Sequence, residues 1–197
     1  MSVEMATGTT QATAKERLLA AANELFYREG VHTVGIDRVI ERAGVAKATL
    51  YSTFGSKDEL IAAYLETRHN AMRERLRRAV DRRRSPRARL LAAFDVQADL
   101  AADESYRGCA FANATAESHG SSADAAVASY RAWVRGTFAE LAADAGARDP
   151  AALARQLHLL WDGASSSARM DHDPASARAA KAAASVLLDA ALPAQPK

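Results

Sequence analysis

Few residues in this chain of 197 have the types and spacing that covalent or metal chemistry demands. Gly163-Ala-Ser-Ser-Ser167 opens like the turn that presents a nucleophilic serine. The closing glycine is absent, and the segment has helical periodicity, where that strained turn has no place. Asp171-His172-Asp173 offers three metal-ligating groups. Asp173 before Pro174 reads instead as a helix N-cap and His172 as a solvated linker residue. Cys109 is the one cysteine, which excludes an internal disulfide and a paired-cysteine zinc site. With Arg107 nearby its thiolate could sense oxidants; in a helical core it is small buried filler. Phosphate-binding glycine loops and HExxH are missing. No enzyme, cofactor or metal is expected.

Basic chemistry concentrates in one place. Arg68 to Arg89 holds ten arginines against Glu74 and Asp81. It reads either as a surface for phosphate or another anion, or as a solvated helix and loop balancing an acidic remainder. Residues 90–197 hold nine basic and thirteen acidic groups, which favours the second.

These residues must be positioned by helices. Roughly a quarter of the chain is alanine, while Val, Ile and Thr are sparse, a balance that favours helix over strand. With 49% hydrophobic and 25% charged residues and a net charge of +2, the composition is globular. No run of 18 apolar residues exists, which argues against a membrane span. The N-terminus lacks the basic start and apolar stretch of a secretory signal. A soluble cytoplasmic protein is expected.

Helix starts are written clearly. Thr13-Ala-Lys-Glu16 and Ser56-Lys-Asp-Glu59 read as capping boxes, in which the hydroxyl and the carboxylate each satisfy a free N–H. Ser85-Pro86, Asp149-Pro150 and Asp173-Pro174 each place a capping oxygen before a proline suited to the first turn. Period-3.6 apolar faces follow in Leu18, Ala22, Leu25 and Phe26, then across 122–145, 150–170 and 174–191. Ile36, Val39, Ile40 and Ala43 form a two-turn helix ended by Gly44; Leu50, Tyr51 and Phe54 form another ended by Gly55. Two short helices joined by a tight glycine turn are a helix-turn-helix, whose second member can enter a major groove.

Ala21-Ala-Asn-Glu-Leu-Phe26, Gly30, Ile36-Asp-Arg-Val-Ile-Glu-Arg-Ala-Gly-Val45, Lys47-Ala-Thr-Leu-Tyr-Ser-Thr-Phe54 and Ser56-Lys-Asp-Glu-Leu60 together resemble the DNA-binding domain of TetR-type transcriptional regulators. The match covers about residues 13–65. Arg107-Gly-Cys-Ala-Phe-Ala-Asn-Ala-Thr-Ala-Glu117 is similar to a motif in one branch of that family. The resemblance implies an all-α fold of about nine helices. A DNA-binding domain would occupy 11–66, with its helix-turn-helix at about 34–53, and an effector-binding and dimerisation bundle 67–197. It also implies a homodimer through about 150–170 and 174–191, double-stranded operator DNA as partner, and a small-molecule effector. The reading is a repressor released from a near-palindromic operator by that effector.

By the same resemblance Gly35, Lys47, Ala48, Thr49, Tyr51, Ser52, Thr53 and Lys57 lie at the DNA. Lys47 would reach a phosphate or guanine edge, Thr49 and Ser52 base edges or phosphate oxygens. Tyr51 would offer its hydroxyl to phosphate with its ring packed inward, and Lys57 would reach the backbone beside a helix N-terminus. Leu50 and Phe54 belong to the core. The chain departs from the family at Gly35, Ala46 and Thr53, each of which removes or shortens a phosphate-contacting side chain. The window 35–57 is weakly basic, and the arm before Lys15 has no Lys or Arg to place in a minor groove.

Candidate effector contacts are Phe94, Gln97, Phe111, Asn113, Tyr130, Trp133, His158, Trp161 and Asp162, polar or aromatic residues on the middle helices. Two rivals remain: a ligand-binding module that has lost DNA binding, and a helical-bundle enzyme using His158 or Asp162.

Overall fold

Thr13 and Glu16 start the first helix as their spacing predicts. The computed structural model describes residues 12–117 and 121–193. In it the Thr13 hydroxyl accepts from the Glu16 N–H and the Glu16 carboxylate from the Thr13 N–H. The helix, α1 (Ala14–Glu29), stops at Gly30, whose φ of +95° few side chains tolerate. Then follow α2 (Ile36–Ala43), α3 (Lys47–Phe54), α4 (Lys57–Asp81), α5 (Pro86–Ala101), α6 (Ala110–Glu117), α7 (Ser121–Asp144), α8 (Pro150–Asp171) and α9 (Ala175–Ala191). The described residues contain these nine helices and no strand. The arm before residue 12 lies outside them.

Two capping expectations need correction. Ser56 accepts from the Glu59 N–H, but the Glu59 carboxylate does not return the bond; it accepts from the Ser122 hydroxyl at 2.7 Å. A tertiary partner has displaced the local one. Asp173 is not the N-cap of α9. That position falls to Pro174, and Asp173 instead accepts the Ala175 N–H at 2.7 Å. Ser85 and Asp149 cap α5 and α8 as expected.

Helices α1, α2 and α3 pack on one another and on the start of α4. Leu18, Leu25, Phe26, Val39, Leu50, Leu60 and Tyr64 fill their core, with the Phe26 and Tyr64 rings edge to face at 5.7 Å. Further along, α4 packs on α5 and α7, α7 on α8, α8 on α9 and α9 on α5, with α6 against α4 and α7. Phe94, Phe138 and Trp161 anchor this part, their ring centroids 5.9–6.5 Å apart, and its buried residues are continuous with those of the first helices.

One face of α8 and α9 stays uncovered. Ala179, Ala182, Ala183, Val186 and Ala190 are exposed on α9, and Leu159 and Met170 on α8 are 72% and 69% exposed. Among the described residues, no helix is long and apolar enough to cross a membrane.

Candidate functional site

Helix α3 is held by one deep anchor. Leu50 is fully buried, whereas Lys47, Ala48, Tyr51, Ser52 and Thr53 are exposed and Thr49 half-buried. The αL conformation of Gly44 turns the chain sharply between α2 and α3. Gly35 and Ala46 occupy the N-cap positions of α2 and α3 without a side-chain cap, so N–H groups at both helix starts keep their donors. Tyr51 is 46% exposed. Phe54 is half-buried and packs against the core, as its assignment there expects.

Intramolecular partners already hold most of the cations here. Lys47 lies 2.9 Å from the Asp37 carboxylate, and this bond raises the lysine's pKa. Arg42 pairs with Glu24 at 2.7 Å. Arg38 bonds Glu29 and, with Arg28, holds that carboxyl down to about 2. The Ser52 and Thr53 hydroxyls both donate to the Thr49 carbonyl. Lys57 is half-buried; burial lowers its pKa against the opposing charge of Glu117.

Three polar links tie these helices to the remainder. Glu117, ending α6, accepts from the His32 N–H at 3.2 Å. Asp58 and Glu59 accept from the N–H and hydroxyl of Ser122. The Tyr27 hydroxyl donates to the Gly108 carbonyl at 3.1 Å and accepts from the Arg107 N–H at 3.0 Å.

The helices leave two chambers that share a wall containing Cys109, Ser165 and the stacked rings of Phe111 and Tyr130, 3.7 Å apart and parallel. The inner one, about 250 Å³, is lined from α1, α4, α5, α6, α7, α8 and the α5–α6 connection, by residues including Asn23, Tyr27, Arg68, Met72, Arg75, Gln97, Tyr106 and Ser165. The outer one, about 670 Å³, lies between α6, α7 and α8 and includes Asn113, Val127, Arg131, Trp161, Asp162 and Met170. Burial pushes the Tyr130 phenol and the Cys109 thiol up, so Cys109 is no thiolate. The Arg107 guanidinium binds the carbonyls of Glu104 and Tyr106.

Of the nine candidate contacts, Gln97, Phe111, Asn113, Tyr130, Trp161 and Asp162 line one chamber or both. Phe94, Trp133 and His158 line neither. Phe94 stacks on Phe138 in the core, Trp133 packs on His69, and His158 is buried on α8. Asn113 spends its amide N–H on the Arg107 carbonyl at 2.9 Å. Asp162 pairs with Arg131 at 2.9 Å. Sequence reasoning missed Tyr27, Arg68, Tyr106 and Ser165. For Arg68 a signal existed: it stands four residues after the buried Tyr64, on the same helix face.

Comparison with known proteins agrees with this geometry. The family model for bacterial regulatory proteins of the tetR family matches residues 18–64. The transcriptional activator FasR of Mycolicibacterium smegmatis is 43% identical over 84 residues, 40% of this chain; the match spans only 38% of that protein's length. Over nearly the whole chain, the structure of SCO4454, a TetR-family transcriptional regulator from Streptomyces coelicolor, superposes with TM-score 0.83 and 34% identity, covering 90% of this chain and 95% of that one. A TetR-type regulator of Streptomyces avermitilis gives 0.81 and 36%, with 91% and 98% covered. Identity at this level across both chains goes beyond shared architecture, and the chain belongs to the TetR family of bacterial regulatory proteins as a DNA-binding transcriptional regulator.

Proposed function

We propose that the protein works as a homodimer that holds a near-palindromic operator and is released from it by a small-molecule effector. The observation that carries the DNA part is the exposed surface of α3, where Lys47, Ala48, Tyr51, Ser52 and Thr53 stand clear while Leu50 alone is buried. Lys47 and Lys57, with the N–H groups at Gly35 and at the start of α4, position the backbone. Thr49 and Ser52 read base edges, and Ala48 allows close approach. The uncovered apolar face of α8 and α9 supports the dimer, which sets two α3 helices at successive major grooves, about 34 Å apart.

Release follows from connectivity. Helix α4 carries Lys57 at the DNA end and Arg68 and Arg75 at the inner chamber; at about 1.5 Å per residue, Lys57 and Arg68 are about 16 Å apart along its axis. A ligand beside Tyr27 favours a conformation in which α4 and the Glu117 link are displaced, altering the spacing of the α3 pair. The effector must bind the low-affinity conformation better, and operator DNA must weaken the effector equally. The activator name of FasR favours a second reading, in which the same DNA contact promotes transcription.

Selection of random DNA by the purified chain at near-physiological salt tests the proposal. One short inverted repeat is the expected product; no enrichment removes the operator reading. A reporter behind the recovered site then separates repression from activation.

A further inference from the structure

We infer that the inner chamber receives a small organic acid whose carboxylate is held by Arg68. The inference rests on the effector-responsive reading above and specifies the effector's chemistry. Charge is the first support. Arg68 and Arg75 both line the chamber, and no Asp or Glu does among the described residues.

The state of Arg68 is the second. Its guanidinium lies 3.8 Å over the Tyr27 ring, makes one long 3.5 Å bond to the Asn23 carbonyl, and leaves a buried Nε without a partner. The Tyr64 ring is a second, more distant aromatic neighbour at 5.7 Å; ring faces and a distant carbonyl offer no anionic acceptor to a half-buried cation. Arg77, Arg78, Arg83 and Arg87, from the same basic stretch, each pair with a carboxylate. Of the other arginines in that stretch, Arg73, Arg75, Arg82 and Arg84 are exposed to water and Arg89 donates to the Arg83 carbonyl, so among the described residues Arg68 is the half-buried guanidinium with an unpartnered nitrogen. A planar guanidinium meets a carboxylate through two parallel N–H donors, a geometry no neutral ligand matches as well.

Size and wall chemistry are the third. Met72, Leu100 and Phe111 supply apolar surface, and about 250 Å³ is just below the usual span of about 300–1,000 Å³ for ligand pockets. That suits a compact acid with an apolar body. In the outer chamber Arg131 pairs with Asp162 and Arg169 donates to the Arg107 carbonyl, so neither guanidinium there has the unpartnered buried nitrogen that Arg68 presents to the inner one.

Calorimetric titration of the full chain with benzoate, phenylacetate and hexanoate, each against its own amide and against inorganic phosphate, tests the assignment. At least one acid should bind, its amide more weakly by about tenfold or more, and phosphate not measurably. Arg68→Gln should erase the difference between acid and amide, Arg68→Lys should keep part of it, and Asp162→Asn should leave it intact. If Arg68→Gln fails to fold by circular dichroism, Arg75→Gln carries the test and should weaken the acid. No preference for any acid, phosphate binding as tight as the acids, or unchanged acid binding by these arginine variants overturns the inference. Operator binding on the same preparations separates the two readings. Acid binding that depends on Arg68 but leaves operator affinity unchanged keeps this site and removes the effector role. Operator binding without any acid preference removes this site and leaves the DNA function.

Discussion

The Glu117 carboxylate at the end of α6 accepts the backbone N–H of His32, 85 residues away in sequence, at 3.2 Å. This bond joins the wall of both chambers to the connection between α1 and α2. Glu117→Ala should leave the fold intact while the His32 amide exchanges with solvent about tenfold faster, the loss of one exposed charge-assisted bond. Hydrogen exchange followed by NMR reads it directly. Unchanged protection at His32 would mean that the bond does not persist in solution.

Gly30 lies under the same carboxylate. With φ +95° and ψ 149° it occupies backbone space open almost only to glycine. A Cβ there would also meet the Glu117 carboxylate, which is flexible enough to move aside. Backbone strain therefore decides the outcome. Gly30→Ala should cost about 1–3 kcal/mol, seen as a lower denaturant midpoint, and should release the His32 amide as Glu117→Ala does.

Lys47 and Asp37, 2.9 Å apart, make opposite predictions at one surface. Lys47→Ala should weaken binding to all DNA sequences alike and lower the salt-dependence slope by about 1. Asp37→Asn frees the lysine and removes a negative charge facing the phosphates, so it should tighten binding by about threefold or more at low salt. Competition titrations at several salt concentrations check both. Equal affinity of the Lys47→Ala protein and the native one at matched salt would take Lys47 off the DNA.

Many helix starts and stops were legible because they depend on local chemistry, though α6 was not read from its residues and the N-cap of α9 is Pro174 rather than Asp173. Thr13, Ser85 and Asp149 cap where they stand. Glu59 was misread because its partner, Ser122, comes from another helix. Arg68 was misread for a related reason. Within a run of ten arginines its type says solvent, and only the arrival of Tyr27 from α1 turns it into a cavity residue. Conversely, Phe94 and His158 have the residue types of a ligand site yet are consumed by packing. Long-range contacts, absent from any local pattern, decided each case.

Stability should fall in mild acid. Burial is the main cause that lowers the pKa of His158, with Arg131 and Arg135 adding to it and Asp162 opposing; Nε2 of His158 is 3.6 Å from Asp162, beyond hydrogen-bond reach. Burial and then Arg73 lower that of His69. Both histidines are neutral in the fold and take up protons more readily when unfolded. Their contribution is complete above the ordinary histidine value of about 6.5. It is lost as pH drops through that value toward the depressed folded ones, because the unfolded chain then binds more protons. Melting temperature should decline below about pH 6.5, and the His69→Gln, His158→Gln double variant should flatten the decline. An identical slope in that variant would assign the acid sensitivity to carboxylates instead.

Val186 tests the dimer. It is 68% exposed on α9, in a row with Ala179, Ala182, Ala183 and Ala190, all exposed and small. Small side chains let a facing helix approach closely, and nothing in such a face compensates a buried charge. Val186→Glu adds a carboxylate where the partner's equivalent residue would stand near the two-fold axis, so the cost is incurred twice. As the residue is exposed in the single chain, its fold should survive with an unchanged circular dichroism spectrum. Sedimentation should shift from dimer to monomer at micromolar concentration, and operator affinity should fall by about 100-fold or more as two tethered half-site contacts become one. A variant that remains dimeric and binds its operator normally would place the subunit contact elsewhere.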